Sequence, residues 1–196
     1  ESNENRVRQL KTLHQQSRRA AEIVQNLLYF SRPTAPGKTP VKVSELVDRT
    51  LHLHAYSLRK SNITVDFLKD DSLPQIYGDP HQLMQAFLNL ILNAEQAIRE
   101  ARDKGTLRIR LSKNDTQVWV TFQDDGPGIA PDILPNIFDP FYTTKRPGRG
   151  TGLGLSICKA VLKEHGGNIE AGPATGGGAV FTVSLPIPAT PPASKS

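Results

Sequence analysis

The sequence predicts an α+β fold: a two-layer α/β sandwich with a mixed sheet and helices on one face, preceded by one long bundle helix. Strand-like alternation of apolar residues comes in runs, and segments with helical spacing lie between those runs. A Pro-rich stretch separates the first helical segment from everything that follows it. With 196 residues and 37% hydrophobic content, the chain can bury one core and carry an appendage.

The N-terminal segment is predicted to be one helix over residues 6–31. Small or apolar residues recur there at steps of three and four, a seam suited to a helix bundle: Leu10, Leu13, Ser17, Ala20, Val24 and Leu27. Residues 34–40 have the composition of a linker. Residues 189–196 form a Pro/Ala/Ser-rich tail that is predicted to be disordered.

The remaining elements follow from the period of the apolar residues. Helices are predicted over residues 44–60, 80–102 and 153–165, and strands over 63–68, 106–112, 117–123, 168–171 and 179–185. Asp79 and Pro80 supply the start signals of the second helix, where Gln82 completes a capping box. Residues 126–151 show little sustained period, apart from room for a short helix at 131–137, and a connection this long is usually a functional lid.

Three glycines alternate with larger residues in Gly-Thr-Gly-Leu-Gly-Leu, residues 150–155, directly before the third helix. Such a loop presents unpaired backbone N–H groups and the positive end of the helix dipole, which suits a phosphate group. Glycine-rich loops also serve as plain turns, so this motif alone leaves both interpretations open.

Gln85, Asn89 and Asn93 are spaced four apart along the second helix and form one stripe through an otherwise apolar pattern. Asparagine is a poor residue for a helix interior, because its amide competes with the backbone for hydrogen bonds. Two asparagines on one stripe need partners, and an amide oxygen is a hard ligand suited to Mg²⁺. A solvated helix face is the alternative.

Asp124 ends the strand predicted at 117–123 and is followed by Asp-Gly-Pro-Gly. A carboxylate held there can accept a hydrogen bond from an exocyclic amine, which would select adenine, and the glycines let a flat ring approach the backbone. A hairpin turn is the alternative, since Asp, Gly and Pro are the usual turn residues. The lid adds cations that suit either a polyphosphate or a solvated loop: Lys145, Arg146 and Arg149.

These segments, in this order, resemble the catalytic ATP-binding domain of sensor histidine kinases, part of the ATPase superfamily that includes type II topoisomerases, the Hsp90 chaperones and MutL. The asparagine helix matches the N box of that family. Residues 124–128 match its first glycine box, 137–145 its phenylalanine box, 150–155 its second glycine box and 176–186 its final glycine turn and strand. The resemblance covers about residues 41–188, and the amino-acid sequences of the boxes look like those of the nitrogen-regulation subgroup.

The resemblance implies a role for each matched position. Asp124 would read the adenine amino group, with support from Thr182 on the last strand, and Asn93 would coordinate the Mg²⁺ that bridges the phosphates. The glycine loop would offer backbone N–H groups to the phosphates, and Gly128 and Ile129 would line the base pocket. The implied ATP-binding residues are Asn89, Asn93, Asp124, Gly126, Gly128, Ile129, Lys145, Arg149, Thr151, Gly152, Leu153, Gly154, Leu155 and Thr182.

Asn89 separates two chemistries within the superfamily. Its hydrolytic members have a water-activating Glu four residues before the metal-binding Asn, and an amide at this position has no useful basicity. The resemblance therefore implies a protein histidine kinase, which transfers the γ-phosphoryl of Mg-ATP to an acceptor that supplies the nucleophile. An ATP-hydrolysing conformational clamp and a non-catalytic interaction module are the two alternatives.

The same resemblance identifies residues 1–33 as the second helix of the dimerisation and phosphoacceptor hairpin. The first helix, which should carry the acceptor His, is absent, and His14 lacks the acidic neighbour and the nearby Pro of that motif. The chain is therefore expected to be a fragment that does not autophosphorylate alone. Its implied partners are the phosphoacceptor bundle, a homodimer in the full-length protein, and the receiver domain of a response regulator in a signal-transducing phosphorelay.

Composition narrows the remaining classes. The net charge is +5, but the Lys and Arg residues are scattered without interleaved aromatics, so no nucleic-acid partner is expected. No apolar run approaches the ~20 residues that span a bilayer, so no membrane contact by this fragment is expected. The single Cys158 excludes an internal disulfide and favours the cytoplasm. The sequence leaves open whether the parent protein is anchored in a membrane.

Overall fold

The structure is a computed structural model, and it describes residues 6–7, 37–145 and 150–189. The chain divides into two units, Glu1–Ala35 and Pro36–Ser196. In the first unit only Arg6 and Val7 are described, and both are helical and exposed. The rest of the predicted bundle helix with His14, linker residues 34–36 and tail residues 190–196 lie outside the described residues.

The second unit contains seven strands and three α-helices among its described residues. The strands are β1 Thr39–Val41, β2 Ile63–Phe67, β3 Ile76–Gly78, β4 Gly105–Lys113, β5 Gln117–Asp124, β6 Asn168–Pro173 and β7 Ala179–Pro186. The helices are α1 Val43–Lys60, α2 Pro80–Ala101 and α3 Gly154–Glu164, with a short 3₁₀ turn at Leu134–Asn136. Every predicted helix and strand in this unit is present, and each boundary agrees within two residues.

Five strands form the main sheet in the order β2-β4-β5-β7-β6. β2 and β4 run parallel, while every other neighbouring pair is antiparallel, so the sheet is mixed as predicted. β1 and β3 pair antiparallel in a separate two-stranded sheet that the sequence did not predict. Thr39 and Pro40, in the predicted linker, lie in β1. Three residues are too few to show a period of two, which explains why both strands were missed.

The three helices pack on one face of the main sheet. Val118, Val120 and Phe122 of β5 are buried, whereas the alternate residues of that strand are only half-buried. α1 contacts β2, α2 contacts β4 and β5, and α3 contacts β6 and β7. Phe87 of α2 lies against Phe122, with ring centroids 5.7 Å apart. This arrangement is the predicted α+β sandwich.

The start of α2 differs from the prediction in one respect. Asp79 caps the helix as expected, because its Oδ1 accepts from the backbone N–H groups of His81 at 2.8 Å and Gln82 at 3.2 Å. The Gln82 side chain, however, does not close a capping box. The Asp79 N–H donates instead to Nε2 of His165, and within the described ranges Gln82 Oε1 is buried without a hydrogen bond. None of the described helices combines the length and apolarity that crossing a bilayer requires.

Candidate functional site

The polar stripe of α2 makes direct contact with the glycine loop. Gln85 Nε2 donates to Asn89 Oδ1 at 3.3 Å, and Asn89 Nδ2 donates to the carbonyl oxygen of Gly154 at 3.2 Å. The oxygen and the nitrogen of the Asn89 amide therefore both have hydrogen-bond partners within the chain. Asn93, one turn further on, is half-buried and makes no side-chain hydrogen bond to the part of the chain that the structure describes. Its amide oxygen is therefore available to a ligand.

The glycine loop turns sharply at Gly152 and opens α3. Gly152 has φ +68°, and a Cβ atom there would collide with the backbone of Phe141. The Phe141 N–H donates to the Gly152 carbonyl at 2.9 Å, while the Leu153 N–H donates to Thr151 Oγ1 at 3.3 Å. None of the described side chains caps α3, and the N–H groups of its first turn, from Gly154 onward, lack intrahelical partners. Such a terminus suits an anion.

Asp124 ends β5 with its side chain buried at 2% exposure. Oδ1 accepts from the backbone N–H groups of Gly126 at 2.9 Å and Ala179 at 3.3 Å. The second oxygen, Oδ2, takes no hydrogen bond from the described residues. Burial raises the pKa of this carboxyl above its ordinary value, because loss of hydration outweighs the two backbone hydrogen bonds. The arrangement leaves one acceptor oxygen for a ligand.

The glycine turn before β7 packs against Asp124. Gly176, Gly177 and Gly178 all have φ between +90° and +99°, and a Cβ atom on Gly178 would collide with the carbonyl group of Asp124. Gly128 has φ +82°, and a Cβ atom there would lie 3.0 Å from the Gly178 carbonyl oxygen. Gly178 and Ala179 are not among the site residues predicted from the sequence, although three consecutive glycines before the last strand were a signal.

Thr182 does not lie where the resemblance implied. In the register of β5 and β7 it is opposite Thr121, and both residues belong to the half-buried face of the sheet. Asp124 points to the helix-covered face with Phe122, so Thr182 is on the other side of the sheet. Ala179, three residues earlier, supplies the contact with Asp124 through its backbone N–H. The Thr182 side chain therefore makes no direct contact with Asp124 in this structure.

The lid contacts two of the helices, α2 and α3. Lys145 Nζ donates to Gln96 Oε1 of α2 at 2.7 Å, and Gln96 lies three residues after Asn93 on the same helix. Burial lowers the pKa of this ammonium below its ordinary value. Lys159 of α3 places its Nζ 5.5 Å from the centroid of the Phe138 ring. Arg146 and Arg149, the other predicted lid cations, lie outside the described residues.

The first glycine box also reaches α2. Gly126 is buried, and a Cβ atom there would lie 3.1 Å from the backbone of Ala97, one turn after Asn93. Ile129 is half-buried beside Gly128. The described structure therefore brings the glycine loop, the lid and the first glycine box to successive positions on one side of α2, around Asn93.

Comparison with known families decides the classification. The family described as Histidine kinase-, DNA gyrase B-, and HSP90-like ATPase matches residues 78–189, more than half of the chain. The chain belongs to this family. This ATPase domain contains every box of the motif resemblance, since the match runs from the residue before Asp79 to the end of β7 and beyond. The resemblance stated from the motifs is confirmed at the level of the family.

Relatives of this ATPase domain are sensor histidine kinases. ZraS of Escherichia coli (strain K12) is 36% identical over 169 residues, which cover 86% of this chain and 35% of ZraS. The solved catalytic domain of histidine kinase ThkA is 31% identical with a TM-score of 0.67, covering 78% of this chain and 99% of that one. ThkA in complex with response regulator protein TrrA is 29% identical with a TM-score of 0.72, covering 88% and 48%.

This ATPase domain is thus only a part of proteins of that kind. The chain spans about a third of the length of the curated relatives that it matches. The chain shares the fold and the family of these proteins.

Proposed function

We propose that this chain is the ATP-binding catalytic part of a sensor histidine kinase, which transfers the γ-phosphoryl of Mg-ATP to a His on a helix outside the chain. The observation that carries the proposal is the convergence of the glycine loop, the lid and the first glycine box on the Asn89–Asn93 side of α2. Family membership supports ATP as the ligand, the kinase relatives support phosphoryl transfer, and this convergence supplies a site that fits the reaction.

Adenine recognition is assigned to Asp124. Its Oδ1 is occupied by two backbone N–H groups, so Oδ2 is the oxygen that would accept a hydrogen bond from the exocyclic amine of the base. Gly126 and Gly128 let the loop pack closely on α2 and on the glycine turn beside Asp124, and Ile129 is an apolar neighbour for the base. A base with a carbonyl at that position would place oxygen against oxygen, which would select adenine over guanine or hypoxanthine.

Phosphate binding is assigned to the loop at residues 151–155. The first turn of α3, which no described side chain caps, supplies backbone N–H donors, and Lys145 of the lid, bonded to Gln96 of α2, adds a cationic side chain. Arg149 belongs to the same proposal as a lid cation.

Asn93 is the residue that would hold Mg²⁺. The fit rests on its amide oxygen, a hard ligand that makes no hydrogen bond to the described residues, and on its place along α2 between Asn89, which contacts the glycine loop, and Gln96, which contacts Lys145. When bound, the ion would neutralise charge on the phosphate oxygens.

Asn89 favours transfer to a protein acceptor over hydrolysis. An amide cannot take a proton from water, and both polar ends of this amide are already engaged by Gln85 and Gly154. In the proposed reaction a nitrogen of the acceptor imidazole forms a bond to the γ-phosphorus, and the bond from that phosphorus to the bridging oxygen breaks, releasing ADP. The chain contributes binding and orientation, which carry most of the catalysis in phosphoryl transfer.

The partners and the compartment belong to the same proposal. The phosphoacceptor bundle would dimerise in the parent protein and present its His to this site, and a receiver domain would take the phosphoryl group onward. ThkA has been solved with its response regulator TrrA, and that precedent supports a partner of this kind. The buried free thiol of Cys158 fits a cytoplasmic location, where thiols stay reduced.

The test uses ATP carrying a radioactive γ-phosphate and a helical hairpin, taken from a related sensor histidine kinase, that bears the acceptor His. We expect acid-labile label on the hairpin, none on a hairpin with His replaced by Gln, and little with the Asn93→Ala chain. Phosphate release at the same rate with and without the hairpin would indicate the hydrolytic clamp instead. A folded chain that binds no nucleotide would indicate the interaction module.

A further inference from the structure

His165 joins the end of α3 to the start of α2. It is 4% exposed and follows the last residue of α3. Its Nδ1 lies 2.7 Å from the carbonyl oxygen of Val161, and its Nε2 lies 2.9 Å from the backbone nitrogen of Asp79. Gly78 leaves room for the ring, since a Cβ atom there would lie 2.8 Å from Cδ2. His165, at the end of the helix predicted over residues 153–165, therefore links the two helices from a buried position.

The partners of the ring determine its hydrogen positions. A backbone N–H can only donate, so Nε2 must accept from Asp79, and a carbonyl can only accept, so Nδ1 must carry the hydrogen that points to Val161. Only the neutral ring with its hydrogen on Nδ1 satisfies both contacts. Asp79 in turn caps α2, so the acceptor on His165 belongs to the same network as the helix start.

Three of the polar contacts between described residues show how α2 and α3 are aligned along their length. The first is Asp79 with His165, the second is Cys158 Sγ with the carbonyl oxygen of Ala86 at 3.3 Å, and the third is Asn89 with Gly154. From one contact to the next, the residue number increases on α2 and decreases on α3. The steps are seven residues on both helices between the first two contacts, then three on α2 and four on α3. The two helices are therefore antiparallel and held in a single axial register.

We propose that His165 is a positioning residue for the nucleotide site: it holds this register and so keeps the glycine loop opposite Asn93. The inference rests on the proposed function. Asp79 and Asn93 are about 21 Å apart along α2 at 1.5 Å per residue, so His165 acts from the far end of the helix pair. Loss of its acceptor leaves the buried Asp79 N–H unpaired, and a shift of α3 along α2 is the way to expose that group to water.

The adenine end of the site does not depend on this register. Asp124 is held by β5 and by backbone groups of Gly126 and Ala179, none of which belongs to the three contacts between the helices. A change at His165 should therefore weaken binding of the metal and phosphates while leaving binding of the base unaltered. A general loss of stability would weaken both.

The experiment compares Mg-ATP, measured by calorimetry, with adenosine, measured by NMR shifts, on the whole chain. His165→Met removes the acceptor at similar volume, and His165→Gln supplies an amide oxygen near the position of Nε2. We expect His165→Met to weaken Mg-ATP binding about five- to tenfold with adenosine binding unchanged, and His165→Gln to recover most of the loss. Ile169→Val, a buried change in β6 outside both helices, is the matched control and should alter neither affinity.

Each other outcome has a separate meaning. Equal Mg-ATP affinity in His165→Met and the unaltered chain would overturn the positioning role, as would parallel losses for both ligands. If the Met variant does not fold, imidazole nitrogen shifts in the unaltered chain take its place, and a His165 ring protonated on Nε2 would contradict the inference. Failure of the unaltered chain to bind Mg-ATP would instead refute the proposed function.

Discussion

Asp124 Oδ1 accepts a hydrogen bond from the backbone N–H of Ala179 at 3.3 Å, which ties the end of β5 to the start of β7. The Gly126 N–H donates to the same oxygen. Two backbone donors on one carboxylate oxygen orient the whole group, and they leave the other oxygen for the ligand. This asymmetry makes Asp124 a residue with separable structural and recognition roles.

Replacement of Asp124 by Asn should separate those roles. The Asn carbonyl can accept from Gly126 and Ala179, which leaves its NH₂ group where Oδ2 stood, facing the adenine amine donor to donor. We expect ATP affinity to fall at least about tenfold, while ITP, whose base has a carbonyl there, gains affinity. Calorimetric titration of ATP and ITP into the unaltered chain and into Asp124→Asn measures this change in nucleotide preference.

The unfolding free energy of Asp124→Asn is the control for that experiment. Burial raises the pKa of Asp124, so its ionised form costs stability at neutral pH, and the neutral amide should leave the fold as stable or more stable. Unchanged preference for ATP over ITP in a folded Asn variant would contradict the assignment of Asp124 to the base.

Gly178 and Gly176 form a matched pair for the glycine turn. Both have φ near +90°, so alanine strains the backbone at either position by about 1–2 kcal/mol. A Cβ atom at Gly176 meets open space, whereas one at Gly178 collides with Asp124. We expect Gly178→Ala to cost about 1–3 kcal/mol more than Gly176→Ala in urea unfolding. Equal losses would mean that the turn does not pack on Asp124.

The thiol of Cys158 should be inert in the folded chain. Burial raises its pKa to about 12, and Sγ donates to the carbonyl oxygen of Ala86. At about pH 8 the thiolate fraction would be about a thousandfold below that of a free cysteine. We expect alkylation only after unfolding in urea, while an added exposed thiol in Ser72→Cys reacts at once. Rapid alkylation of native Cys158 would contradict the packing of α3 on α2.

Glu95 should make the stability of the fold depend on acid pH. Burial raises the pKa of this carboxyl, but hydrogen bonds from Ser61, His54 and Ser57 outweigh that effect, and the pKa lies below its ordinary value of 4.5. A lowered carboxyl pKa stabilises the folded state above the unfolded pKa, and this contribution is lost as the pH falls through the folded pKa.

Glu95→Gln tests this contribution directly. It should be less stable than the unaltered chain at neutral pH, and the difference should shrink as the pH is lowered from about 5. Urea unfolding across that pH range measures the difference in unfolding free energy between the two chains. The other carboxylates are common to both chains, so their pH dependence cancels in this difference. A difference that stays constant with pH would show that the ionised form of Glu95 adds nothing.

The spacing of apolar residues predicted the strands of the main sheet and its helices, because each of these elements has one buried face. The spacing of Asn89 and Asn93 likewise predicted their common stripe on α2, and the structure has that stripe. β1 and β3 were missed because three residues cannot display a period.

The errors at the site come from long-range contacts. His165 contacts Asp79, which is 86 residues away, so no local pattern in the sequence indicates this contact. Ala179 contacts Asp124 through its backbone N–H, so the identity of its side chain does not reveal the contact. Thr182 was chosen from the resemblance alone, and the alternation of β7 turns it to the other face of the sheet.

The most direct test of the central claim is calorimetric titration of Mg-ATP into the unaltered chain and into Asn93→Ala, with Leu92→Ala, exposed on the same helix, as the control. We expect micromolar to sub-millimolar binding, weakened at least about tenfold by Asn93→Ala and unchanged by Leu92→Ala. Without Mg²⁺, the affinities of the three chains should converge. Absence of Mg-ATP binding by the folded, unaltered chain, or equally tight binding by Asn93→Ala, would contradict a nucleotide site at Asn93.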